Sequence, residues 1–413
     1  MRILIYRLGS LGDWCVALPA LRAVRQRYPQ ARIALLTNFP VATKAAAAAA
    51  ILEDTGLIDE YMAYPVGTRN PWRLLSLLVN LRRSRFDVVV NLAAWRGAAK
   101  MKRDAAFFRL AGIPEQIGFS TVDGELRHNA DGIAEPEAAR LLRRIPSLRS
   151  MCSFVAKADS AISNFRSEIS NSRNATLATL LRSSSYEGQA RDHPPSLHVE
   201  ELRRAGKELI SNPQPPLATP LDLTDPASYR FDLADADRQW AQQNLTAAGI
   251  STDFIAVSLG TKVPANDWEE PNWRGLIKQL GLQYPKMALA FIGAADEHER
   301  SQRCGEQWPS KMLNLCGVCT PRQSAAVLAR ARLFIGHDSG PMHLAAAVGT
   351  RCVAIFAARN PPGQWFPLGV GHCVIYHKTD CCGCGLNVCT EQNKKCILSI
   401  TVEEVVTAIE GYL

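Results

Sequence analysis

The chain has 413 residues, 47% of them apolar and 21% charged, with 47 Lys and Arg against 39 Asp and Glu. Those proportions exclude wholesale disorder, collagen and coiled coil, and at roughly 100–200 residues per domain the length suits two or three domains. No stretch approaches the ~18 uninterrupted apolar residues of a membrane span, and the opening Met1–Arg7 lacks the apolar core and cleavage site of a signal peptide, so the expected compartment is cytoplasmic.

The elements alternate in the α/β manner. Arg2–Arg7 reads as a strand, Gly9–Gly12 as a tight turn, Asp13–Arg27 as a helix with apolar residues at helical spacing, and Arg32–Leu36 as the next strand. Phe86–Asn91 is a buried strand, followed by a helix carrying Lys100, Lys102, Arg103 and Arg109, then Ile117-Gly-Phe and a helix over Glu135–Arg144. Residues 151–215 break the rhythm, with nine Ser between 151 and 190 and a Pro cluster after them. They read as an insertion or linker, in which Ile162, Phe165 and Ile169 suit one short helix. A second series begins with strand Phe254–Leu259. Helix Pro271–Tyr284, strand Met287–Ile292 and helices Asp296–Trp308 and Thr320–Ala331 follow. Strand Leu333–Ile335, helix Pro341–Val348, strands Cys352–Phe356 and Val374–Tyr376, and helix Val402–Leu413 complete it. The expected organisation is an α/β domain over 1–150, a linking region over 151–240 and a second α/β domain over 241–413. Two such domains in tandem place a cleft between them, with ligands at the carboxyl ends of strands.

Charge follows the same division. Residues 1–150 hold 22 Lys and Arg against 13 Asp and Glu, and the other 263 residues hold 25 against 26. A basic first third attracts an anionic partner, or simply keeps the chain soluble.

Four strings sit where a parallel sheet puts its ligands. Arg7-Leu-Gly-Ser-Leu-Gly-Asp13 follows the first strand. Its glycines allow a tight turn and close approach, and Asp13 is either a general base or an acid placed at a helix start for the macrodipole. The string lacks the dinucleotide pattern Gly-x-Gly-x-x-Gly. Asp338-Ser-Gly-Pro-Met-His343 opens a helix with Pro341 near its first position and Asp338 or Ser339 as cap. Amides near Gly340, Met342 and His343 then form an anion site suited to a diphosphate, and the plainer reading is a capped, alanine-packed helix with a buried His343. Ser258–Trp268 brings Thr261 and Lys262 to a loop fit for phosphate oxygens, or merely anchors the next helix through Trp268. Glu297, in Gly293-Ala-Ala-Asp-Glu297, is a carboxylate for ribose hydroxyls or a helix-start acid. Asp235-Ala-Asp237 reads as a helix start rather than a metal motif.

Five of the twelve cysteines crowd into residues 381–396. Cys381, Cys384, Cys389 and Cys396 have spacing for a closed four-thiolate zinc site or form a reduced, Cys-rich loop, and the metal-free loop is the expectation.

Together these strings resemble the heptosyltransferases of glycosyltransferase family nine. The resemblance rests on Arg2–Asp13 with Leu18-Pro-Ala-Leu-Arg-Ala23, on Phe86–Leu92, on Ile117-Gly-Phe119 and on Asp338–Gly349. It covers 1–148 and 250–413. It implies a GT-B fold, two Rossmann-like domains facing a cleft, and an inverting transfer of heptose from ADP-heptose to the lipopolysaccharide inner core on lipid A. It assigns Asp13 as catalytic base, Thr261 to the donor phosphates, Glu297 to the ribose and Asp338, Ser339, Gly340 and His343 to the donor loop. Arg7, Gly9, Ser10 and Gly12 fall on the acceptor side. No cofactor beyond the donor is implied. The partner is an anionic glycolipid at the cytoplasmic face of the inner membrane, with the protein peripheral to it. The family carries Lys where this chain has Asn266, and Lys262 on the same loop is the candidate substitute. Another nucleotide sugar or acceptor is the alternative within the family. A non-catalytic nucleotide- or nucleic-acid-binding module is the alternative outside it, disfavoured because no basic strand is interleaved with aromatics.

Overall fold

A computed structural model describes residues 1–38, 48–65, 68, 70–120, 126–130, 132–145, 222–250 and 253–413. The expected insertion at 151–215, with its short helix near Ile162, lies outside the described residues.

The first sheet has five parallel strands in the order β3-β2-β1-β4-β5: β1 Arg2–Tyr6, β2 Arg32–Asn38, β3 Glu60–Tyr64, β4 Val88–Asn91 and β5 Glu115–Ile117. Its crossovers are α1 Leu11–Arg27, α2 Ala49–Leu52, α3 Pro71–Ser84 and α4 Ala98–Leu110, and α5 Glu137–Arg143 follows. Two short elements, α6 Pro226–Tyr229 and α7 Asp235–Ala247, lead into the second sheet. That sheet has six parallel strands in the order β11-β10-β9-β6-β7-β8. They are β6 Phe254–Ser258, β7 Ala288–Phe291, β8 Met312–Asn314, β9 Leu333–His337, β10 Cys352–Phe356 and β11 Cys373–Tyr376. Its helices are α8 Glu270–Gln283, α9 His298–Gly305, α10 Pro321–Leu328, α11 Gly340–Ala347, α12 Lys395–Leu398 and α13 Val402–Glu410. Strand order reverses beside β1 in the first sheet and beside β6 in the second, and open sheets bind ligands at such reversals.

Parallel strands covered on both faces read as continuous apolar runs. β1, β4, β6 and β9 do so, and their central residues are fully buried. One apolar cluster starts under α1 and α5, with Trp14, Leu18 and Leu141. It continues without a break into Met342, Ala345 and Val327 on α11 and α10. The two domains therefore share core along the α1–α11 contact. Leu4, Tyr6 and Val89 point to the opposite face of the first sheet, where Leu81 of α3 and Phe108 of α4 cover them.

The expected boundary at 240/241 falls inside α7, which packs on α10. Asp237 is spent structurally, accepting from the Ala234 amide at 3.2 Å and from Arg322 Nε at 2.9 Å. This supports the helix-start reading of Asp235-Ala-Asp237. β9 runs two residues past the expected end at Ile335, so Gly336 and His337 are strand and the turn is left to Asp338 and Ser339. A side chain at 336 would meet the Phe334 ring 2.7 Å away, so the glycine is a packing requirement and not a break. Among the described residues no helix is long and apolar enough to cross a membrane.

Two histidines, His337 fully buried and His372 half-buried, tie this fold to pH. Burial pushes both His337 and His372 down to about 4. In the unfolded chain each titrates near 6.5, so between those values the unfolded state binds more protons. Stability is therefore complete above about pH 6.5 and falls as pH drops toward 4, by about 3 kcal/mol per histidine at most. Thermal unfolding between pH 7 and 5, above the carboxylate range, should show a steady fall in Tm. A flat profile there would contradict the neutral imidazoles.

Candidate active site

The turn after β1 is built around one buried cation. Arg7 is fully buried; its Nε and Nη2 donate to the Asp13 carbonyl at 3.0 and 2.7 Å, and its Nη1 donates to the Leu92 carbonyl at 2.5 Å. Desolvation lowers the pKa of this guanidinium, opposed by the charges of Asp13 and Glu137. Expected on the acceptor side, Arg7 is instead closed off from any ligand. It is a positioning residue for the first turn of α1. There Asp13 Oδ2 accepts from the Ser10 amide at 2.7 Å and the Ser10 hydroxyl at 3.1 Å. Its Oδ1 lies 3.7 Å from Arg7 Nη2, and the side chain is 22% exposed. The helix-start role is thus realised, with part of the carboxylate still open to solvent. Gly9 makes room for it, because a Cβ there would sit 2.3 Å from Asp13 Cβ.

Across the cleft, the ends of β6, β7 and β9 and the starts of α10 and α11 enclose a cavity of about 300 Å³. Ser10 and Leu11 of the first domain face Gly260, Thr261, Lys262, Glu297, Ser339 and Gly340 of the second within it. Five expected donor residues, read from three separate strings, thus meet in one space. Asp338 and His343 do not line it. His343 is buried 3.7 Å from Asp338, packs edge-on to Trp365, and would lie 2.7 Å from a Cβ at Gly12. Its ring joins the domains, and its amide is spent on the Ser339 carbonyl at 3.3 Å. The plainer reading of His343 holds. Gly340 has two duties: it lines the cavity, and a Cβ there would meet Leu11 Cδ2 at 2.7 Å. Gly9, Gly12 and Asp13 stand just outside the cavity, beside Ser10.

Glu297 occupies an unusual seat. A Cβ on Gly260 would fall 1.8 Å from its Cδ, and one on Gly293 would fall 2.1 Å from its Oε2. The carboxylate therefore lies flat on two glycines, and its Oε2 also accepts from the Ala294 amide at 3.3 Å. Thr261 Oγ1 accepts from the Val263 amide at 3.2 Å, which folds the phosphate-facing loop into a local turn. Lys262 is exposed at the cavity mouth, whereas Asn266 is buried outside it, so of the two only Lys262 faces the space.

Sequence reasoning missed three contributors. Ser258 lines the cavity with a buried hydroxyl that, like that of Ser339, has no hydrogen-bond partner among the described residues. Buried hydroxyls are usually satisfied, and two orphans facing one cavity mark places for ligand atoms. Ser258 ends a strand at the reversal point, and that position was the available signal. Cys319, whose thiol burial pushes up to about 12, adds a neutral wall. His337 accepts the Trp268 amide on Nε2 at 3.0 Å and so fixes the far end of the Thr261 loop, while Trp268 anchors through Nε1 on the Ile400 carbonyl at 2.8 Å.

The cysteine loop lies apart from this cavity. Cys389 Sγ accepts the Lys394 amide at 3.3 Å, and Cys381 Sγ lies 3.4 Å from the Thr379 hydroxyl. Among the described residues no three His, Cys, Asp or Glu side chains are gathered as a metal-binding group. Cys384 is exposed and Cys396 half-buried.

Residues 183–395 match the family model of glycosyltransferase family 9 (heptosyltransferase). The chain belongs to that family. It is 27% identical over 123 residues to lipopolysaccharide heptosyltransferase 3 of Escherichia coli, a match covering 29% of this chain and only 35% of that relative. Its fold is similar to that of a glycosyltransferase family 9 protein from Veillonella parvula, with a TM-score of 0.63 and 17% identity over 99% of this chain and 96% of the other. It is also similar to E. coli ADP-heptose lps heptosyltransferase II, with a TM-score of 0.58 and 18% identity over 100% and 98% of the two chains. At such identities the likeness concerns the fold: two Rossmann-like domains facing a cleft, as the resemblance implied.

Proposed function

We propose that the chain transfers a heptose from ADP-heptose to a hydroxyl of the lipopolysaccharide inner core, working in the cytoplasm at the face of the inner membrane. The carrying observation is the single cavity that joins Ser10 and Leu11 of one domain to the Thr261, Glu297 and Ser339 loops of the other. In this reading Asp13 takes the proton as the acceptor hydroxyl attacks the anomeric carbon and the bond to the diphosphate oxygen breaks. The start of α11, the Thr261 and Ser339 hydroxyls and the Lys262 ammonium hold the departing charge. Glu297 accepts from the ribose hydroxyls. The names of the relatives support both donor and acceptor, and the basic first domain suits a phosphorylated glycolipid. No step calls for a metal ion. Incubation with ADP-heptose and truncated core acceptors, read by mass spectrometry, tests the transfer; no mass gain on any acceptor would reject it.

Asn266 in place of the family's Lys favours a second reading, another nucleotide sugar on the same site. Calorimetric titration with ADP and UDP separates the two, and tighter UDP binding would select the second. The same titration tests the seat of Glu297. Gly260→Ala pushes the carboxylate off its glycine floor, so it should weaken ADP about as much as Glu297→Ala does, roughly tenfold for one lost charged hydrogen-bond acceptor. Unchanged affinity in both variants would remove Glu297 from the ribose.

A further inference from the structure

We infer that α3 is a membrane-docking helix that lays its outer face on an anionic lipid surface. This deepens the reading above by naming the surface that brings the protein to a membrane-borne acceptor.

A helix that covers a sheet normally has one apolar stripe. α3 has two. Leu74, Leu77, Leu78 and Leu81 turn inward, and Leu81 is fully buried in the first-domain core. On the other side Trp72, Leu75 and Val79 are 76, 48 and 37% exposed. At about 100° per residue these three fall within roughly 60° of one another. They are among the largest exposed apolar side chains described, and they share one helix face. Such a contiguous patch marks an interaction site.

Charge identifies what covers it. No Asp or Glu occurs between Glu60 and Asp87, while Arg69, Arg73, Arg82, Arg83 and Arg85 all fall there. At about 100° per residue, Arg82 and Arg83 fall about 20° beyond the two edges of the outer stripe, and Arg73 lies about 100° beyond its Trp72 edge. All three are exposed. Neighbouring α4 adds exposed Lys100, Lys102 and Arg109, pairs its Arg103 with Asp104 at 2.8 Å, and ends in Leu110, 65% exposed. A tryptophan with aliphatic neighbours, ringed by arginines and without acids, is the pattern of a helix lying in the headgroup layer of an anionic bilayer. A second copy docked through this same face would set arginines against arginines.

Position supports the same partner. α3 follows β3, so its first turn, with Trp72, lies at the carboxyl edge of the first sheet, the edge that forms the cleft. A bilayer against this face would hold a lipid-anchored sugar beside the opening without covering α1 or α11, which lie on the other face of the sheet.

Flotation of the full chain with vesicles tests this without donor or acceptor. Wild type should bind phosphatidylglycerol-rich vesicles and bind pure phosphatidylcholine far less. Trp72→Ser/Leu75→Ser/Val79→Ser should weaken binding by about tenfold or more. Arg82→Ser/Arg83→Ser/Arg85→Ser should weaken it by up to about 100-fold at low salt, and salt should erode the wild-type binding. Wild type failing to bind, or either variant binding like wild type, would overturn the inference. So would light scattering that showed a wild-type oligomer dissolved by the Trp72→Ser/Leu75→Ser/Val79→Ser variant, which would give the face to a second copy. Turnover on a deacylated, water-soluble acceptor is measured in parallel. It should be unchanged in both triple variants. If wild type lacks it, the transfer reading fails on its own, and the vesicle result still decides α3.

Discussion

Asp13→Asn should lose about 10²–10⁴-fold in turnover while keeping its fold and its affinity for ADP. The amide oxygen of Asn still accepts from the Ser10 amide and hydroxyl, now 2.7 and 3.1 Å from Asp13 Oδ2, so the start of α1 stays capped. Only the capacity to take a proton disappears. Helix capping and proton abstraction are thus separable at one atom. Asp13→Ala would remove both and cost about 1 kcal/mol of stability as well. Steady-state turnover with ADP titration on the same preparation reads the difference. Wild-type turnover in the Asn variant would leave Asp13 a cap and nothing more.

Arg7→Met should be the most destabilising single change in the first domain, about 3–5 kcal/mol. The guanidinium is fully buried and satisfies two backbone carbonyls, Asp13 and Leu92, that no solvent reaches in its place. Met fills the volume and supplies no donors. Turnover of the folded fraction should fall too, with Asp13 unaltered in sequence, because the first turn of α1 loses its brace. Arg7→Lys should recover part of the stability through one carbonyl and little of the turnover, since one ammonium cannot fork to both. Urea unfolding gives the first quantity. A Met variant with a wild-type midpoint would show that the buried cation contributes no net stability.

Much of this was readable from the residues. β1, its Gly-rich turn and α1, and later β9 and α11, are apolar runs punctuated by Gly and Pro, where local preference and tertiary burial agree. Glu60–Tyr64 and Met312–Asn314 were not legible, because partly exposed or three-residue strands carry no alternation to detect. The site divides the same way. Thr261, Lys262, Ser339 and Gly340 converge because they follow β6 and β9, the strands on either side of the reversal of strand order, and Glu297 joins them from neighbouring β7. Arg7 and His343 went elsewhere for reasons that depend on distant chain. Leu92 supplies the carbonyl that closes the arginine's pocket, and Gly12 supplies the flat surface for the imidazole. Neither partner is near in sequence, so no local pattern announces the burial.

The resting place of Glu297 also governs how this sequence is free to drift. Gly260, Gly293 and Glu297 are spread over 37 positions but answer to one carboxylate. Once the acid is gone, a methyl group at Gly260 no longer meets a carboxylate, and one at Gly293 meets only the Cys316 sulfur, at 3.1 Å. With the acid present, the same methyl group is a lesion. The three positions therefore form one heritable unit, whose effects are strongly non-additive. A lineage that abandons the acid releases Gly260 and eases Gly293, and one that keeps it is bound to keep both.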